Sequence, residues 1–136
     1  MQTGYRLFTY DGGNITGEQV FATDAATGEP TLQIYNTYEY DAAGNMTNYV
    51  SRDDPDGDTI EASSYLYDTQ KHPLRELALG FEGTTHVNNV LQRTDLLTGE
   101  VYNHQIIYTP TAYPEQINIK LGTYLVEVIR MDYTCR

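Results

Sequence analysis

Residues 37–50 read TYEYDAAGNMTNYV: an alternating aromatic run that ends in Tyr40-Asp41, a corner of Ala42, Ala43, Gly44 and Asn45, and a second run that leaves with Met46. Aromatic and β-branched residues at every second position fit a pleated strand with one packed face and one wet face. Aspartate and asparagine side chains bond the backbone ahead of them, and glycine supplies the positive φ that turns a chain back, so the stretch reads strand, corner, strand. Residues 7–16, LFTYDGGNIT, repeat that order with Tyr10-Asp11-Gly12-Gly13-Asn14-Ile15. Two looser copies follow, YLYDTQKHPL at 65–74 and IIYTPTAYP at 106–114, where Thr109 stands in place of the aspartate. A unit this short cannot bury its aromatic face alone, so the copies must pair with their neighbours into one sheet.

Period-2 alternation runs through the rest of the chain. Leu32, Ile34, Tyr38 and Tyr40 fall on one face of a strand, with Gln33, Tyr35, Thr37 and Glu39 on the other. Tyr102, Ile106 and Tyr108 alternate with Asn103, Gln105 and Ile107, and Ile117, Ile119 and Leu121 with Asn118 and Lys120. Residues 124–131, YLVEVIRM, are apolar on both faces apart from Glu127 and Arg130, which reads as the most central strand. TDAATGEPT (23–31) and TDLLTGEVY (94–102) share the frame Thr-Asp-x-x-Thr-Gly-Glu. In that frame Asp24 and Asp95 bond the backbone ahead and Gly28 and Gly99 take positive φ, giving hairpin loops. DDPDGD (53–58) is a further hairpin tip, with Pro55 and Gly57 at turn positions. One short helix is expected near residues 73–80, where Pro73 opens an apolar stripe of Leu74, Leu77 and Ala78 and Gly80 closes it. The fold class is therefore all-β: an antiparallel meander of about eight to ten strands, twisted or curled towards a half-barrel or sandwich, with that one helix.

At 136 residues the chain has the length of a single domain, here 1–136. A large share of its 40% hydrophobic content is tyrosine, 13 residues in all, and tryptophan is absent, so much of the packing must come from half-buried phenol rings. Nineteen acidic residues against eight basic ones give a net charge of −11, which repels phosphate backbones and anionic lipid; neither nucleic acid nor a membrane is an expected partner. The start, MQTGYRLFTY, enters a strand without the basic and then apolar segments of a leader, so the chain is expected to be the C-terminal part of a longer exported precursor. A lone cysteine, Cys135, makes no internal disulfide.

The Tyr-Asp-x-x-Gly-Asn frame of 40–45 resembles the YD repeat of RHS-type proteins, which builds long β-shells. From about residue 35 onward the order of motifs is similar to that of uncharacterised, secreted or lipid-anchored envelope proteins of Bacteroidetes made of YD-like hairpins. The matching pieces are YLYDTQKHPL with His72 and Leu74 at its corner, the Asn88-Asn89-Val90 strand start, the Tyr108…Tyr113-Pro114 hairpin, and the closing MDYTCR. The resemblance implies an all-β fold and an extracellular, periplasmic or outer-membrane lipoprotein setting. It implies no activity.

Candidate chemistry is thin. Asp54, Asp56 and Asp58 alternate as in a calcium loop beside Asp53, but Gly57 is misplaced for one and Tyr65 stands where the closing glutamate belongs, so a solvated turn is the better reading. His72, His86 and His104 lack metal-ligand spacing, and Cys135 has no sequence partner for nucleophilic catalysis. No catalytic, cofactor or metal residue is assigned, and no cofactor is expected. Tyr35 with Gln33 and Thr37 forms an aromatic and amide surface of the kind sugars use, read here first as sheet packing. Asn14-Ile15-Thr16, Asn45-Met46-Thr47 and Asp58-Thr59-Ile60 match glycosylation frames, but the asparagines are better explained as turn residues. The expected function is a non-catalytic envelope or extracellular module that acts as a scaffold or binds a glycan or protein at the cell surface. The alternatives are a fragment of a YD-type shell serving encapsulation and, least favoured, a glycan hydrolase.

Overall fold

A computed structural model describes residues 4–71 and 87–133. They form one open sheet of nine antiparallel strands laid side by side in chain order. The strands are β1 (Gly4–Asp11), β2 (Asn14–Thr23), β3 (Pro30–Tyr40), β4 (Met46–Arg52), β5 (Thr59–Lys71), β6 (Asn88–Asp95), β7 (Val101–Tyr108), β8 (Pro114–Leu121) and β9 (Tyr124–Arg130). Short polar turns leave each strand no neighbour within reach but the next one, which is why sequential hairpins follow. The sheet does not close: β1 and β9 are its two edges. The helix expected near residues 73–80 lies outside the described residues, as do His72, His86 and Cys135.

All four Tyr-Asp units fold the same way. The tyrosine of each, Tyr10, Tyr40, Tyr67 and Tyr108, stands immediately after a register shift with the following strand. The partners are Ile15, Met46, Val90 and Pro114, and the residues left over are Thr16, Thr47, Leu91 and Glu115. Each unit therefore carries a β-bulge at the same place, one residue beyond the tyrosine's partner, and each bulge adds local twist; the third has a second register shift, between Tyr67 and Lys71. In the second unit Asp41 Oδ1 accepts hydrogen bonds from the N–H groups of Ala43 and Asn45, both at 2.9 Å, and Oδ2 accepts one from Asn45 Nδ2 at 3.0 Å. The third unit repeats this with Asp68, which accepts from Gln70 N at 2.9 Å, Asn89 N at 3.1 Å and Asn89 Nδ2 at 3.2 Å. The corner asparagine is thus Asn89, and twenty residues, 69–88, stand between aspartate and asparagine where the second unit has three, 42–44. The two corners are tied to each other: Asn88 N donates to Asn45 Oδ1 at 2.8 Å, and Asn45 Nδ2 donates to Asn88 Oδ1 at 3.0 Å. In the fourth unit Thr109 Oγ1 takes the aspartate's place, accepting from Tyr113 N at 3.2 Å.

The shared Thr-Asp-x-x-Thr-Gly-Glu frames give the same loop atom for atom. Asp24 Oδ1 accepts from Ala26 N and Thr27 N at 2.8 and 2.9 Å, and Asp95 Oδ1 from Leu97 N and Thr98 N at 2.9 and 3.0 Å. Gly28 and Gly99 turn the chain at φ of 74° and 75°.

The packing departs from an ordinary domain. Among the described residues the buried apolar side chains are Met46, Ala62 and Pro114, whereas Glu18, Asn36, Asn45, Ser51, Ser63 and Asn89 are buried and polar. Eight tyrosines are half-buried, from Tyr35 to Tyr108. The described residues form a single layer, in which backbone ladders, ring stacking and side-chain hydrogen bonds do the holding.

Two strand-level expectations are corrected. Residues 124–131 are not the central strand: β9 is an edge, with Tyr124 79% and Leu125 57% exposed. Chain order overrides composition there, since the last strand of a meander has a neighbour on one side only. The register shift between Val20 and Phe21 places Ile34 opposite Val20 and Leu32 opposite Phe21. Consecutive residues of β2 point to opposite faces, so Leu32 lies on the face away from Ile34, Tyr38 and Tyr40.

Two predictions follow from the corners. Ala112 is the described non-glycine residue with positive φ, at 63°, in the position that Gly44 fills at 88° in the second unit. Ala112→Gly relieves a left-handed alanine that costs about 1–2 kcal/mol, against an entropy loss of roughly half that. The variant is expected to melt about 2–4 °C higher, by calorimetry. The second prediction concerns pH. Burial raises the Asp41 carboxyl, but the hydrogen bonds from Asn45, Ala43 and Gly44 outweigh it and hold its pKa below the ordinary 3.8. Backbone hydrogen bonds from Thr27 and Thr98 likewise lower Asp24 and Asp95. Since the unfolded chain then binds protons first, this stabilisation is complete above about pH 5 and lost as pH falls through the folded values. Melting midpoints measured against pH should stay level down to about 5 and drop below 4, and Asp41→Asn should start lower at neutral pH and converge on the wild type near pH 2.

Candidate functional site

One face of β1–β5 holds a trough of about 390 Å³. Its floor follows from the register: Phe8, Glu18, Asn36, Ser51 and Glu61 stand opposite one another in turn and make a single row across five strands. One flanking row carries Tyr38 and Tyr49, whose rings stack at 5.6 Å between centroids. The other carries Arg6, Val20 and Ile34. Tyr65 and Met46 complete the wall.

Glu18 is the strut of the floor. Its side chain is 7% exposed, and both oxygens are engaged. Oε1 accepts from Arg6 Nη1 at 2.8 Å, while Oε2 accepts from Asn36 Nδ2 at 2.8 Å and from the Tyr38 hydroxyl at 2.9 Å. The Tyr49 hydroxyl donates in turn to Asn36 Oδ1 at 3.5 Å. A buried carboxylate is tolerable because it is so fully satisfied, and the same network fixes both stacked rings at their hydroxyl ends. Burial raises the pKa of Tyr38, with the Glu18 hydrogen bond adding to it. Burial also raises Tyr49 and Tyr65; the charge of Glu61 adds to both, while at Tyr65 the charge of Arg93 opposes it. Glu61 itself is exposed and makes no ion pair or hydrogen bond with a side chain of the described residues. The trough therefore offers ring faces, a fixed amide and, at Glu61, a carboxylate. That is the inventory of a site that grips a polar, ring-shaped ligand by stacking and hydrogen bonds.

The residues singled out from sequence fall elsewhere. Tyr35 is half-buried opposite Gln19 and Arg52, on the face away from the trough, and Gln33 sits at the register shift of β3. At the β4–β5 tip, Asp54 N donates to Asp53 Oδ1 at 2.9 Å and Asp56 N to Asp54 Oδ1 at 2.8 Å, so these carboxylates serve the turn. A Cβ on Gly57 would overlap the Asp53 carboxylate, which accounts for the glycine. No group of three metal-capable side chains converges among the described residues. His104 is half-buried opposite Ile119, and burial, then Arg93, holds its pKa below the ordinary value. Asn45 is 2% exposed and bonded to Asp41 and Asn88, which makes it a corner residue and leaves it closed to glycosylation. The trough escaped the sequence reading because Glu18 and Glu61 lie 43 positions apart and meet only through three strand registers; GEQ at 17–19 gives no local sign of a buried acid.

No family model matches the chain, and no curated protein matches it. Among solved structures the chain is similar to a DUF3836 family protein from Parabacteroides distasonis, with a TM-score of 0.44 and 12% identity over 96% of this chain and 92% of that one.

Proposed function

We propose that this domain is a non-catalytic module of the cell envelope or exterior that binds an extracellular polymer, a glycan, in the β1–β5 trough. The observation that carries the reading is the stacked pair Tyr38 and Tyr49 standing over the Glu18–Asn36 network. Sugars present apolar ring faces and a rim of hydroxyls, and they bind where flat aromatics meet fixed donors and acceptors. The engagement of both Glu18 oxygens argues against its service as nucleophile or proton donor in a hydrolase. The Tyr-Asp corners and the sheet they build are the scaffold that holds this face. The reading is tested by calorimetric titration with a panel of soluble envelope and dietary glycans. At least one should bind saturably, and Tyr49→Ala should weaken it by about tenfold or more, in line with the worth of a ring-stacking contact. A panel without any binder, or a binder indifferent to Tyr49, overturns the reading.

A second reading, a piece of a YD-type shell, is favoured by the two edges. Every residue of β1 is exposed, and all of β9 except Ile129, with Leu7, Phe8, Tyr124, Leu125 and Val126 among them. Natural proteins guard an apolar edge with charge, proline or a cover, because unpaired N–H and C=O groups invite another strand. If the edges pair between copies, sedimentation velocity should show the sedimentation coefficient rising with concentration, and Val126→Lys and Val128→Lys together should return the chain to a monomer. A concentration-independent monomer removes this reading.

A further inference from the structure

Building on the glycan reading above, we infer that the trough selects an amine-bearing sugar, with the ring against Tyr49 and the ammonium group at Glu61. The argument is one of charge and position. The trough contains one cation and two carboxylates, and Arg6 neutralises Glu18 at 2.8 Å. The charge left over is that of Glu61, at the end of the polar row farthest from Phe8. Three strand spacings along the sheet, about 14 Å, separate Glu61 from Glu18, and the Arg6 guanidinium is bound to Glu18. Glu61 and Tyr49 both line the trough, with Tyr49 one diagonal step from Glu61 across β4 and β5, and its ring face attracts a cation that a carboxylate has already drawn in. The net charge of −11 adds a long-range field of the same sign, which draws cationic polymers and repels uronic-acid polymers. A protonated amine on a hexose ring satisfies all three features together: the carboxylate, the adjacent ring face and the amide of Asn36. A basic peptide satisfies the first two and leaves that amide unused.

The experiment compares β-1,4-linked glucosamine oligosaccharides with their N-acetylated counterparts and with oligolysine, by titration calorimetry near pH 6 at low salt. The expected result is that the amine form binds at least about tenfold tighter than the N-acetylated form, the advantage of one ammonium–carboxylate contact beside an aromatic face. Glu61→Gln should erase that ratio, and added salt should shrink it. Equal affinity for the two sugars overturns amine selection while leaving the glycan reading intact. Failure of both sugars, alongside an otherwise silent panel, sinks the two together. Oligolysine bound as tightly as the amino sugar, with the same dependence on Glu61, shows a site that reads charge alone and overturns the sugar assignment. The comparison between sugars is made within the wild-type protein, so it does not depend on how any variant folds.

Discussion

The bond between one aspartate and one asparagine governs this sheet. Asp41 holds Asn45 by backbone and side-chain amide, and Asp68 holds Asn89 in the same way. Each clamp fixes the end of one strand against the start of the next, and with it the bulge that follows the tyrosine. Because Asn45 and Asn88 bond each other reciprocally, the position of one corner sets that of the other across β4 and β5. The aspartates accept strongly because they are charged. Among the described residues few apolar side chains are buried, so the register of the sheet depends on such polar fixings.

The same substitution of polar order for apolar burial explains the trough. Its floor is a line of Glu18, Asn36 and Ser51, all buried, where a sandwich would carry valine and leucine. Burying a carboxylate is costly unless its oxygens are matched, and here Arg6, Asn36 and Tyr38 match them. The consequence is a preorganised surface, because the stacked tyrosines are held at their hydroxyl ends by the network that satisfies the acid.

Much of the architecture was legible in the sequence. The Tyr-Asp repeats, the two Thr-Asp-x-x-Thr-Gly-Glu loops and the antiparallel meander all rest on local chemistry, and local chemistry is written in adjacent residues. What alternation could not reveal was the bulge. It moves Leu32 across the sheet and sets Gln33 at the shift, and nothing in TLQIY marks the place. Nor could composition locate β9, because LVEVI reads as central wherever it stands and only chain order makes it an edge. The trough was the least legible feature, being assembled from five strands whose contributing residues are each unremarkable alone.

The third corner has a consequence for how such a chain varies over time. Asp68 reaches Gln70 two residues ahead and Asn89 far beyond, yet its geometry matches that of Asp41, whose corner spans only four residues. A clamp made by side chains does not measure the length of what lies between its jaws, and the entropy of a longer loop grows only with the logarithm of its length. Each corner is therefore a splice point, where new sequence can enter without shifting the register of the strands on either side. A lineage built on this unit can acquire new loops at one rim of the sheet while the sheet itself is inherited unchanged.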